Sequence, residues 1–123
     1  MKTLIKLLMF IALSIPLFSQ TIFASEKIKI GLIVPLSGEN SLIGEKIIKS
    51  IRMAINKIND ERVEIIPKDT KSNPIDALKV SKELYKDGVR IIIGPVFNES
   101  TKYLDDLEDV TFISFTNKLI GNP

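Results

Sequence analysis

The side chains of this chain that could do chemistry are Ser37, Asn98, Ser100, Thr101, Ser114, Thr116 and Asn117. All are neutral hydroxyls or amides, and each follows the end of a short apolar run. A hydroxyl becomes a nucleophile only beside a base. The 123 residues contain no histidine and no cysteine, which removes imidazole bases, thiolate nucleophiles, zinc fingers, haem ligation and disulfides. Carboxylate-bound Mg²⁺ or Ca²⁺ stays open to such a chain, but no spaced acidic loop of the EF-hand kind occurs. The expectation is therefore a protein that binds rather than catalyses, with no cofactor and no metal.

The stretch IGLIVPLSGENSLIGE, residues 30–45, carries the first of these groups. A strand-to-helix turn that grips a pyrophosphate needs Gly-x-Gly-x-x-Gly, and a nucleoside triphosphate loop ends in Lys-Ser or Lys-Thr. Residues 35–44 have glycines only at Gly38 and Gly44 and no lysine. Phosphoryl transfer to an aspartate needs acids at the first and third strand ends, and those ends read Val-Pro-Leu-Ser and Ile-Gly-Pro. The acids at Asp105, Asp106, Glu108 and Asp109 read as a solvated helix end. Hydrogen-bonded ligand binding remains. Taken singly, a Ser, Asn or Thr at a helix start reads as a cap; their convergence on one edge points to a site.

That convergence depends on the elements that hold the loops. Lys27 to Val34 reads as a strand that becomes continuously apolar, as buried parallel strands do. From Ser41 to about Asn59, Ile47, Ile51, Ala54, Ile55 and Ile58 form a stripe at helical spacing, with Asn40 or Ser41 as cap. Val63 to Pro67 is a second strand. Asn73-Pro74 opens a second helix with an inner face of Ala77, Leu78, Leu84 and Tyr85, stopped at Gly88. Val89 to Ile93 is a third strand, Asn98 or Ser100 caps a short third helix to about Leu107, and Val110 to Phe115 is a fourth strand. Such alternation predicts right-handed crossovers and an α/β, Rossmann-like parallel sheet of order 2-1-3-4 with flanking helices. Ligands bind in such sheets where neighbouring strands send their connections in opposite directions. Here that is the crevice between PLSGENS and GPVFNES.

The first 24 residues are different material. Lys2 and Lys6 precede an apolar run, Leu7 to Phe18, then a polar patch and Ile22-Phe23-Ala24. This is the layout of a secretory signal peptide cleaved after Ala24. A membrane span needs about 20 mostly apolar residues, and this run is shorter and broken by Pro16. With no cysteine at the junction, the exported product is expected to be neither lipid-anchored nor membrane-inserted. Removing residues 1–24 leaves 15 basic against 15 acidic residues, so nothing in the charge points to nucleic acid. Residues 25–123 make one domain at most.

Ile30-Gly31-Leu32-Ile33-Val34-Pro35-Leu36-Ser37-Gly38, Gly44 and the helix ending Ala54-Ile55-Asn56-Lys57-Ile58-Asn59 resemble the start of type I periplasmic binding proteins. Asp69-Thr70, Asn73-Pro74 and Val89 through Gly94-Pro95 continue the match in order, over essentially all of residues 27–120. The resemblance implies two α/β lobes trapping a small polar solute for a membrane ABC permease. In it, residues 25–123 are an incomplete amino-terminal lobe, periplasmic after export. The implied ligand-facing residues are Ser37, Ile43, Asn98, Ser114, Thr116 and Asn117. Amino-acid receptors of the family commonly carry a serine about where Asn98 stands, to hold the ligand carboxylate. Asn98-Glu99 departs from that pattern, and an acid there repels a carboxylate. GPVFNES with FISFTNK also resembles penicillin-binding protein activators, which implies a penicillin-binding protein as the alternative partner.

Overall fold

A computed structural model describes residue 1 and residues 26–116. The expected signal segment, residue 1 apart, and Asn117 lie outside the described residues. The chain runs β1 (Ile28–Val34), α1 (Ser41–Ile58), β2 (Val63–Asp69), α2 (Pro74–Lys86), β3 (Ile91–Ile93), a 3-10 helix (Asn98–Tyr103) and β4 (Thr111–Ile113). The strands form one parallel sheet of order β2-β1-β3-β4, the predicted order. β1 and β3 are neighbours, with Ile30 opposite Ile91 and Leu32 opposite Ile93. Their connections leave toward opposite sides, so the crevice opens where the sequence placed it.

The two faces of the sheet are packed unequally. On one, Ile33 and Ile92 meet Leu84 of α2, with Val89, Leu104 and Val110 completing a buried cluster. Gly31 leaves room for this packing, since a Cβ there would lie 2.7 Å from Leu84 Cδ1. On the other face α1 lies over β1 and β2, yet Gly44 is its one buried residue. A groove of about 320 Å³ separates the rest of the helix from the sheet, between Ile48, Ile51 and Ile55 on one wall and Leu32, Val63 and Ile65 on the other. The predicted stripe is thus half realised: Ile47, Ile51 and Ile55 are half-buried, while Ala54 and Ile58 are exposed. Past α1 the same face bares Ile91 (38% exposed) and Ile113 (54%).

Gly44 explains why α1 is held at its start. The first helical turn lies directly on the end of β1, and a Cβ at Gly44 would overlap the Pro35 carbonyl oxygen. α2 is fixed differently at each end. Asn73 Oδ1 accepts from the N–H groups of Ile75 (2.8 Å) and Asp76 (3.3 Å), and Pro74 opens the helix. At the other end, Gly88 N–H donates to the Tyr85 carbonyl and Val89 N–H to the Leu84 carbonyl. This paired closure is a Schellman motif, and the contact between Val89 and Leu84 completes it.

The same closure shortens β3 from the expected Val89–Ile93 to Ile91–Ile93. Val89 N–H is spent on the helix end and cannot join the ladder. β4 contracts from Val110–Phe115 to Thr111–Ile113, because Val110 N–H closes a turn on Leu107 and Phe115 N–H turns to the Pro95 carbonyl. β2 extends beyond the expected Pro67 to Asp69; Pro67 is tolerated because β2 is an edge strand. The expected third helix to Leu107 is only the 3-10 turn Asn98–Tyr103. Its continuation keeps three-residue bonding, from Leu104 N–H to Thr101 and from Leu107 N–H to Leu104. Asp105, Asp106, Glu108 and Asp109 there oppose the dipole of any longer helix.

Three substitutions separate these supports. Gly44→Ala should destabilise the full-length protein by about 1–3 kcal/mol, the cost of forcing an atom into occupied space. Asn73→Ala should cost about 1 kcal/mol, while Asn40→Ala, whose side chain makes no cap bond, should cost less. Urea midpoints at constant slope measure all three.

Candidate functional site

The crevice rim is organised by a carboxylate that closes β2. Asp69 Oδ1 accepts from Leu36 N–H and Lys71 N–H, both at 2.8 Å, and Oδ2 accepts from the Ser37 hydroxyl at 2.7 Å. One side chain therefore ties the β1–α1 loop to the β2–α2 loop. Thr70 N–H reaches the Val34 carbonyl (3.0 Å), and Asn40 Nδ2 donates to Ser72 Oγ (3.1 Å), adding two further ties between the same loops. Lys71 and Ser72 both take the left-handed conformation, at φ 50° and 58°. That costs about 1–2 kcal/mol per non-glycine residue, and these bonds hold it in place. Burial pushes the Asp69 carboxyl pKa up, but the Ser37 hydroxyl and the N–H groups of Leu36, Lys71 and Ser37 outweigh it, so it sits below the usual carboxylate value.

On the other side of the crevice, Gly94 takes φ +118° at the end of β3 and joins Pro95 through a cis bond. A Cβ at Gly94 would overlap the Ile33 carbonyl oxygen. The turn thus presses against β1 and sends Val96-Phe97-Asn98 across the strand ends. Thr101 Oγ1 donates to the Asn98 carbonyl at 2.6 Å, within the 3-10 turn. Asn98 Oδ1 is shielded from solvent and has no hydrogen-bond partner.

The predicted residues distribute over this rim unevenly. Asn98 lines a cleft of about 480 Å³ together with Asn40, Ser72, Pro74, Phe97, Glu99 and Ser100. Ser37 stands exposed on the adjoining loop with its proton committed to Asp69. Ile43 lies on the first turn of α1, 41% exposed. Ser114 donates to the Pro95 carbonyl (3.2 Å) and accepts from Thr116 N–H (3.1 Å), so these two lie together after β4. Ser114 lines a separate cavity of about 330 Å³ with Pro95, Thr101 and Phe112.

The sequence reading does not mark Asp69 and Ser72 as rim residues, and it gives Asn40 only as a cap. The order 2-1-3-4 carried the missing signal, because it sets the end of β2 beside the end of β1. An acid there, followed by the turn-forming Lys71-Ser72-Asn73, is placed to bind the neighbouring loop.

A family model described as periplasmic binding protein matches residues 27–120. The chain belongs to the periplasmic binding protein family. The leucine-, isoleucine-, valine-, threonine-, and alanine-binding protein of Pseudomonas aeruginosa is 29% identical over 105 residues, covering 80% of this chain and 28% of that one. A solved solute binding protein of an ABC transporter from Rhodopseudomonas palustris, in complex with 3,4-dihydroxy benzoic acid, superposes with TM-score 0.67 at 28% identity. The match covers 72% of this chain and 26% of that one. The LpoA C-domain of Haemophilus influenzae, a regulator of PBP1A, superposes with TM-score 0.58 at 19% identity over 70% of this chain and 27% of that one, a likeness of fold alone. The chain thus spans between a quarter and a third of the length of these relatives. Among the described residues, no helix is long and apolar enough to cross a membrane.

The depressed Asp69 pKa fixes a pH dependence. Its contribution is fully present above the unfolded carboxylate value of about 3.9 and is lost as pH falls through the lower folded value. Asp69→Asn should lower stability at neutral pH by about 1–3 kcal/mol, as expected for bonds to a charged group. The variant and parent unfolding curves should converge in acid. Parallel curves across the acid range would contradict this role.

Proposed function

We propose that the full-length protein is the substrate-binding component of an ABC uptake system, taking up a small polar solute without catalysis. The carrying observation is the cleft at the divergent ends of β1 and β3 in a chain of this family, rimmed by Asn40, Ser72 and Asn98. In this reading the described lobe supplies one wall of the ligand site and Asp69 keeps its two loops in register. Ser37, Ile43, Asn98, Ser114, Thr116 and Asn117 form the ligand-facing set. The protein is exported by a leader cleaved after Ala24, acts in the periplasm without a lipid anchor, and passes its solute to a membrane permease. The solutes named for the relatives, leucine, isoleucine, valine, threonine and alanine for one and 3,4-dihydroxy benzoic acid for the other, make aliphatic amino acids and aromatic acids the first classes to screen.

A second reading, regulation of peptidoglycan synthesis by contact with a penicillin-binding protein, is favoured by the segments GPVFNES and FISFTNK. It predicts capture of a penicillin-binding protein from envelope extract and no solute dependence.

A thermal-shift screen of the full-length protein against amino acids, aromatic acids and their uncharged derivatives separates the two. A ligand at 100 times its dissociation constant adds about 2.7 kcal/mol of stability, a clear rise in Tm. A flat response to every compound would sink the solute-binding reading.

A further inference from the structure

The outward face of α1 carries charge that nothing on the lobe answers. The helix holds four cations, Lys46, Lys49, Arg52 and Lys57, against one acid, Glu45. All four cations are exposed. Among the described residues the ion pairs are Arg62–Asp60 and Lys68–Glu83, and neither involves a cation of α1. The other long helix differs: α2 sets Asp76 and Glu83 against Lys79, Lys82 and Lys86. Residues 25–123 balance 15 basic with 15 acidic residues, so the surplus on α1 is local. The acidic run Asp105, Asp106, Glu108 and Asp109 lies across the sheet from it, between Leu104 and Val110 of the α2-side core. A surface that attracts α1 therefore repels that run, which selects one orientation of the lobe.

Helical spacing gives the face a shape. At about 100° per residue, Leu42, Lys46, Lys49, Met53 and Lys57 fall within an arc of about 80° and run about 22 Å along the axis. Gly44 and Ile51, which face the sheet, lie on the opposite side of the helix. Leu42 and Met53 are each 59% exposed. A lone exposed apolar side chain is ordinary. Here two of them alternate with three ammonium groups along one stripe, the pattern of a surface that meets charge first and hydrocarbon just beneath. Lysine brings a point charge on a flexible stem, without the fixed fork of arginine, which suits mobile phosphates better than a single rigid pose.

We infer that α1 docks the lobe on an anionic lipid surface through Lys46, Lys49 and Lys57, with Leu42 and Met53 seated among the headgroups. This contact goes beyond solute binding and does not depend on it. It is peripheral: Ile48, Ile51 and Ile55 stay turned toward the sheet, and no described helix is long and apolar enough to cross a membrane. The crevice lies at the amino-terminal end of α1, where the first turn rests on the end of β1. With the helix flat on the bilayer, the crevice opens along the surface and stays accessible.

Sedimentation of the full-length protein, with its leader removed, against phosphatidylglycerol–phosphatidylcholine vesicles tests this. Binding is expected at about 0.1 M salt, where charges act over about 10 Å, and is lost at about 1 M, where they act over about 3 Å. Vesicles of phosphatidylcholine alone should not bind. Each basic residue near an anionic surface raises partitioning roughly fivefold. Lys46→Gln/Lys49→Gln/Lys57→Gln should therefore lower it about a hundredfold at an unchanged urea midpoint. Lys79→Gln/Lys82→Gln/Lys86→Gln on α2 removes the same charge and should change it far less. No binding, equal binding to neutral vesicles, or an equal loss with both variants overturns the inference. So does a protein that ignores vesicles while the α1 variant impairs uptake by cells, which would assign the stripe to an acidic protein surface.

Discussion

The β1–α1 and β2–α2 loops at the carboxyl edge of the sheet are joined chiefly through one carboxylate. Asp69 ends an edge strand, yet it bonds the loop that leaves the neighbouring central strand through Leu36 and Ser37, and its own loop through Lys71. Parallel strands joined by helices have no hairpin to bind their loops together, so the loops at the carboxyl edge would move independently. A single acceptor with several lone-pair sites solves this. Two left-handed residues, Lys71 and Ser72, follow it after Thr70, and they persist because both ends of their turn are tied. The geometry of the crevice wall is therefore a property of β2 as much as of β1.

Sequence reasoning reached the architecture because hydrophobic periodicity and turn chemistry agreed at each element. Asn73-Pro74 and Gly88 mark α2 correctly, and the alternation of strands and helices yields the parallel order. The errors share a cause. β3 and β4 read too long because Val89, Val110 and Phe115 have strand-like side chains, but their N–H groups bond to turns. Apolarity records burial, and Val89 is fully buried without being in the ladder. The third helix failed for a related reason: polar residues that suit a helix start also suit a 3-10 turn, and the acids beyond it discourage extension.

The candidate site was legible in place and less so in chemistry. Topology alone located the crevice, and Asn98 stands in its cleft. Which way each hydroxyl proton points depends on partners distant in sequence. Ser37 and Asp69 are 32 residues apart, so no local pattern shows that the serine is already engaged. Ser114 likewise turns to Pro95, 19 residues earlier. A list of polar residues at an edge overstates what they can give a ligand until those internal bonds are known.

The Schellman closure at Gly88 and Val89 also bears on how this chain tolerates change in length. No spacer separates α2 from the run into β3: the last helical carbonyls are satisfied by the very residues that enter the core. One residue added within α2 would rotate everything beyond it by about 100°. Leu84 would swing off the sheet, and Val89 could not both close the helix and fill the core. Insertions and deletions are therefore excluded between Asn73 and Ile93, where only substitution can act. Between the core residues Leu104 and Val110, by contrast, Asp105, Asp106, Glu108 and Asp109 face solvent, and substitution at those four acids can accumulate without disturbing the core.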